Sequence, residues 1–477
     1  MNQPDMRKNF IYSYVYQILN IIIPIVTAPY LSRILGVEAI GIQSYVSSVQ
    51  QYFIMFAMLG TLSYGSREVA IKRTDIYACS KLFWEIEIMV ISTTAVTLFI
   101  WGIICAFSVN YSVYYKILTI GIIAVLFDIT WFFNGIEQFR LIVIRNMIFK
   151  VIELACIFLF IKSSEDILGY ICIVSVISLL SNISLWIFVK KYLIKIPICD
   201  LKIRKHFRET VIYFIPTVAS SIYTVLDKVF LGVITNDAVQ NGYYQQAQKI
   251  VDLAKSVVFT SINSVVGVRN AFLFSQGKQD EIHNKIKKSL NFIFVMGFGC
   301  CFGIMGIAKT FVPFFFGTGY DGVVDLLYLF SPIIVIIGIS NCLGMQYYTP
   351  CGKRRESTKY LLFGAGINII LNLMLIPKFE AKGAAVASVV AEIVIAILYI
   401  KNSGGYGEPK VIFQLGYKKM IAGMVMFGIL YFLNEIQWNG LAVLLLQFFV
   451  GVCVYIIMLI ILRDRDFFQY FIKGKRR

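Results

Sequence analysis

The chain has 477 residues, 58% of them hydrophobic and 15% charged, with a mean hydropathy of +0.75 and a net charge of +17. A soluble domain carries about 25% charged residues, and repeated apolar runs of about 18 residues or more belong to membrane helices. A soluble enzyme is therefore excluded, and so is a nucleic-acid-binding domain, because excess Lys and Arg has a plainer source in cytoplasmic loops and no nucleic-acid motif accompanies it.

In chain order, residues 1–8 are polar and a full-length apolar run follows, with no small-residue cleavage site after it. No signal peptide is expected. The pattern predicts an all-α polytopic membrane protein of about fourteen transmembrane helices. They fall near 9–30, 38–62, 83–107, 114–134, 142–161, 167–189, 210–234, 243–270, 289–308, 326–348, 359–376, 384–401, 418–433 and 440–462. With both termini cytoplasmic, most of the 44 Lys and Arg lie inside, as the positive-inside rule requires. The longest basic linker, Lys190 to Arg208, then follows the sixth span.

That linker divides the chain into a six-helix lobe over 1–190, a basic cytoplasmic linker over 191–209, a second six-helix lobe over 210–402, and two further helices with a basic tail over 403–477. The lobes echo each other. Arg33-Ile-Leu-Gly36 before Gly41 matches Lys228-Val-Phe-Leu-Gly232 before Gly242. Two copies of a six-span unit would be parallel repeats about an axis along the membrane normal.

Charged groups inside the spans are costly, so they mark cavities or pairs. The first span carries Asn9, Ser13, Tyr16, Asn20, Pro24 and Thr27 at helical spacing, with Arg33 beyond. This stripe reads equally as a helix–helix seam or a cavity wall. Asp128, Lys150, Glu153 and Glu392 are further intramembrane ionisables. Lys150 and Glu153, three apart, can pair, either as a neutralised structural pair or as a coupling site. Glu85 and Glu87 are expected to be solvated near the inner face.

The stretch from Val211 to Asn263 is the most informative. Asp227 and Lys228 lie toward the end of one span, and Lys249, Asp252 and Lys255 lie inside the next. Gln245, Lys249, Asp252, Ser256 and Asn263 share one helical face. A packing seam does not need full charges, so this face reads as the wall of a polar cavity. Of the ten cysteines, Cys79, Cys199 and Cys351 fall in expected cytoplasmic loops; no Cys-x-x-Cys exists and no disulfide is expected. His206 and His283 are expected far apart in basic loops, which leaves almost no material for a metal site.

Pro29-Tyr-Leu-Ser-Arg33-Ile-Leu-Gly36, Leu59-Gly60 and Tyr64-Gly-Ser-Arg-Glu68 resemble the start of the polysaccharide (O-antigen and capsule repeat-unit, Wzx-type) flippases. Asp227-Lys228, Leu231-Gly232, Gly242-Tyr-Tyr244, Lys249-Ile250, Gly344-Met-Gln346, Pro350-Cys-Gly-Lys353, Asn368, Asn372, Gly383-Ala-Ala385 and Glu392 continue the resemblance over nearly the whole chain. One departure is Gly267-Val-Arg269, where the family often has Pro-Arg. The resemblance implies a MATE-like fold of two six-helix lobes around a central cavity. It implies movement of an undecaprenyl-pyrophosphate-linked oligosaccharide between leaflets of the bacterial plasma membrane, and the polymerases and glycosyltransferases of the same biosynthesis as further partners.

That substrate suits the residues. Arg33, Lys228 and Lys249 would attract the pyrophosphate, and Asp227 and Asp252 would hold those cations when the site is empty. Asn20 and Gln245 would meet sugar hydroxyls. The lipid tail would stay in the bilayer. No cofactor is expected, and coupling to a proton or sodium ion would run through Asp128 or the Lys150–Glu153 pair. The rivals are a multidrug/cation antiporter, a lipid II or teichoic-type flippase and, from another class, a membrane polymerase or ligase. The last lacks a large outer loop and a Ser/His/Asp or Cys/His set.

Overall fold

A computed structural model describes residues 6–108, 110–276, 278–435, 440–464 and 467. Helices dominate, and no strand occurs among the described residues. The chain divides into two compact units, Met1–Val229 and Phe230–Arg477.

The first unit begins with α1 (Met6–Met58), a 53-residue helix that holds two spans. They meet at Gly36, whose φ of 77° suits a residue without Cβ. Next come α2 (Thr61–Lys72), α3 (Ile76–Phe107), α4 (Ser112–Ile123), α5 (Thr130–Gly135), α6 (Phe139–Phe160), α7 (Ile167–Val189) and α8 (Ile203–Ser221). The core of this unit is aromatic. Phe83 packs on Trp84, Trp131, Phe132 and Trp186 with ring centroids 5.1–5.9 Å apart. Gly65 makes room for it, since a Cβ there would lie 2.6 Å from the Trp131 ring. Close packing of this kind substitutes for the hydrophobic driving force that is missing between helices in lipid.

After α8, a five-residue π turn, Ile222–Leu226, interrupts the seventh span before α9 (Asp227–Thr235). The span was expected over 210–234 as one continuous helix; periodicity does not reveal a local change of pitch. The second unit then runs through α10 (Ala238–Ser275), α11 (Gln279–Phe316), α12 (Asp321–Phe330), α13 (Ile333–Leu343), α14 (Arg354–Lys401), α15 (Pro409–Leu433) and α16 (Gly440–Ile461). A second π turn, Gly344–Tyr348, follows α13. Like α1, α14 merges two spans, here around Glu380 with φ 50°. Helix α11 packs against α15 and α16, where Tyr455 donates a hydrogen bond to the Val295 carbonyl at 2.9 Å.

Nine helical stretches among the described residues are long and apolar enough to cross a membrane, two of them being 52 and 48 residues long. Helix α6, α8 continued by α9, and α10 add three further stretches of spanning length. Together they account for the expected spans.

Three expectations need correction. Glu85 and Glu87 are not solvated: they are 6% and 1% exposed, covered by neighbouring helices of the first unit. Cys79 is buried in α3 instead of lying in a loop. His206 and His283 sit on α8 and α11, and His206 is 2% exposed.

Candidate functional site

In the first unit, Arg33 is exposed near the end of the first span, just before the Gly36 bend. Asn20 is helical, but its side chain lies outside the described residues. Asp227 is fully buried and Lys228 half-buried. Both open α9 directly after the π turn. A π turn redirects the side chains that follow it and loosens the backbone ladder, which is why such turns gather at working sites. The Ser221 carbonyl, at the start of this turn, accepts a long hydrogen bond from the Tyr52 hydroxyl of α1 at 3.4 Å.

The expected coupling residues separate into two places. Asp128 ends a short turn over Ala124–Phe127 and accepts the Thr130 N–H at 3.0 Å, so it caps α5. Its charge is felt by Glu87 of α3. Glu87 Oε2 has no hydrogen-bond partner among the described residues. Lys150 and Glu153 do pair, with Nζ donating to both carboxylate oxygens at 2.8 and 3.0 Å. The lysine is 41% and the glutamate 18% exposed, so the pair lies at the edge of the unit and not in its core. No described contact joins it to Asp128.

One buried polar chain was missed by sequence reasoning. Glu85 accepts the Lys202 backbone N–H at 2.8 Å with one oxygen and meets His206 Nε2 at 2.8 Å with the other. His206 Nδ1 in turn lies 2.6 Å from the Tyr64 hydroxyl. The chain ties the end of the basic linker and α8 to α2 and α3. A lone histidine beside lysines carries no sequence signal for this, since its partners are 121 and 142 positions away.

In the second unit, α10 carries the charged stripe. Gln245, Lys249 and Asp252 are half-buried. Asp252 takes Lys255 as its ion-pair partner at 2.5 Å, one turn along the same helix. The Lys255 charge also reaches Glu392 of α14, which is 7% exposed. Asp252 and Lys255 thus form an ion pair in which Lys255 had no assigned role. The Asn263 side chain lies outside the described residues.

Beside this pair runs a buried neutral chain. Asn372 donates to Asn368 at 3.0 Å, Asn368 to Ser388 at 3.3 Å, and the Ser388 and Tyr244 hydroxyls lie 3.5 Å apart. All four residues are nearly inaccessible. Two asparagines four apart inside an apolar run were the available signal, because they must share a face. Lys228 belongs to the first unit and Lys249 to the second. Chemically, the second unit offers cations that are already paired and a line of donors and acceptors, a combination suited to anionic and hydroxyl-rich ligands.

A family model described as polysaccharide biosynthesis protein matches residues 6–266. A protein named "Putative O-antigen transporter" from Escherichia coli (strain K12) is 23% identical over 419 residues, covering 84% of this chain and 98% of that one. A protein of the same name from Shigella dysenteriae is 23% identical over 405 residues, covering 83% and 99%. Among solved structures, the lipid II flippase MurJ in an inward closed conformation superposes with a TM-score of 0.72 at 17% identity, covering 96% of this chain and 99% of that one. A multidrug resistance MATE family transporter in an inward-facing conformation gives 0.62 at 13% identity, covering 87% and 95%. The two superpositions establish a shared fold.

Proposed function

Because the chain belongs to the polysaccharide biosynthesis protein family, we propose that it is a flippase, moving a lipid-linked oligosaccharide repeat unit from the inner to the outer leaflet of a bacterial plasma membrane. The observation that carries this reading is the set of charged residues on membrane-length helices: Asp227 and Lys228 behind a π turn, and the Asp252–Lys255 ion pair on α10. A pyrophosphate cannot cross hydrocarbon bare. Fixed cations compensate its charge, and the Gln245 amide and neighbouring hydroxyls replace the water around the sugars.

Alternating access by rocking of the lobes is the proposed cycle. It is supported by a fold shared with MATE transporters solved in both inward-facing and outward-facing conformations. Arg33, Lys228 and Lys249 take the pyrophosphate in this scheme, with Asp227 as a resting counter-charge; Asp252, expected in the same role, is held by Lys255 instead. Lys150–Glu153 is the pair against which a coupling proton or sodium ion would exchange.

Complementation of a strain lacking its own flippase tests the reading. The wild-type chain should restore surface glycan and clear lipid-linked sugar from the inner leaflet. Lys228→Ala and Lys249→Ala should each lower transport by about 10- to 100-fold, the loss expected for hydrogen bonds to a charged group. Full transport by both variants would overturn the assignment of these residues.

A further inference from the structure

The first unit holds a cleft of about 830 Å³. Its walls come from the end of α1, the Met89–Ile100 stretch of α3 and the first turns of α8, and include Phe56, Met89, Val96, Ile100 and Phe207. The hydroxyls among its lining residues are already engaged. Ser92 donates to the Ile88 carbonyl at 2.8 Å, Thr93 to the Ala57 carbonyl at 2.6 Å and Thr97 to the Thr93 carbonyl at 2.8 Å. With their donors used, these hydroxyls leave a wall that is mostly apolar and suits hydrocarbon better than sugar.

One charged group completes the lining, the exposed Arg204 guanidinium at the start of α8. No hydrogen bond or ion pair to Arg204 is found among the described residues. Exposed Lys202, Lys205 and Arg208 flank it in sequence. Glu85 is occupied by His206 and the Lys202 backbone, and the one carboxylate within 202–209, exposed Glu209, leaves the four cations in excess. From Met89 to Ile100 the α3 wall rises eleven residues, or about 17 Å, roughly half of a hydrocarbon core of about 30 Å. The cleft thus has the depth of one leaflet, apolar along its length and cationic at one end.

We propose that this cleft is a binding site for an anionic phospholipid of the leaflet that borders the basic linker. One acyl chain lies along α3 between Phe56 and Phe207, and the phosphate meets Arg204. Four basic positions in seven residues favour a lipid with net negative charge over a zwitterionic one. The site does not depend on the transport reading, because it uses none of the residues assigned to the pyrophosphate or the sugars.

The test uses the purified, delipidated full-length chain, incubated with vesicles of phosphatidylglycerol or of phosphatidylcholine, with retained lipid counted by native mass spectrometry. Wild type should retain phosphatidylglycerol in preference to phosphatidylcholine. Arg204→Gln should retain about fivefold less, the effect of one basic residue at an anionic surface. Val96→Trp fills the cleft and leaves the cation in place, and it should lose retention too; Val96 is 61% exposed, so the larger ring does not disturb the core. Excess inorganic phosphate should not displace the lipid. Wild-type retention by both variants, equal retention of phosphatidylcholine, or displacement by phosphate would each overturn the proposal.

Discussion

Glu85 illustrates why single residues were the hardest part of this chain to read. Position alone put it near the inner end of a span, where a carboxylate meets water. Its surroundings are set by α8, which returns 121 residues later and covers it. A sequence displays the lysines around His206 but not the tyrosine and glutamate on either side of it. Local spacing did reveal Lys150–Glu153, because both partners lie on one helix. Removal of the Glu85 carboxylate strands the Lys202 N–H and the histidine together. Glu85→Ala should therefore cost about 2–6 kcal/mol, at 1–3 for each of the two groups left unsatisfied. Glu85→Gln retains an acceptor and should cost less than half of that. Thermal melts of the two variants in detergent separate these outcomes.

At the scale of elements, hydropathy located the spans well, since twenty apolar residues announce themselves whatever they pack against. It gave no hint of the π turns, and none of the ion pair that secures the last two helices. Lys419 of α15 and Asp464 beyond α16 lie 2.8 Å apart and are 1% and 3% exposed. Asp464 also accepts the Phe467 N–H at 2.9 Å. Loss of one partner from a buried pair leaves an uncompensated charge, whereas an apolar replacement of both is often tolerated. Lys419→Ala should destabilise by about 3–5 kcal/mol. Lys419→Met combined with Asp464→Leu should recover most of that loss, short of the Phe467 hydrogen bond. A double-mutant cycle on melting temperature measures the coupling, and additive effects would mean the pair is not felt.

For the whole molecule, the charge distribution argues for an orientation, with the linker and both ends inside. Cys199, exposed in that linker, is a native reporter. A membrane-impermeant maleimide should label it in inside-out vesicles and leave it unlabelled in intact cells; the reverse pattern would invert the topology. Class and fold were legible because the bilayer imposes a strict rule on length and polarity. The motifs of the resemblance pointed to the family in which the chain is found. The identity of the glycan was not legible, because hydroxyl recognition rests on side chains that converge from distant spans.

Glu380 carries a last implication, for how the protein is made. It turns α14 back on itself with φ 50° and ψ −130°, a region that a residue with a side chain seldom occupies. The turn is flanked by exposed Lys378 and by Lys382, which pairs with Asp325 at 2.7 Å. A corner this short predicts that the two arms enter the bilayer together as a hairpin; stable insertion of the first arm alone, in a chain truncated at Glu380, would contradict it.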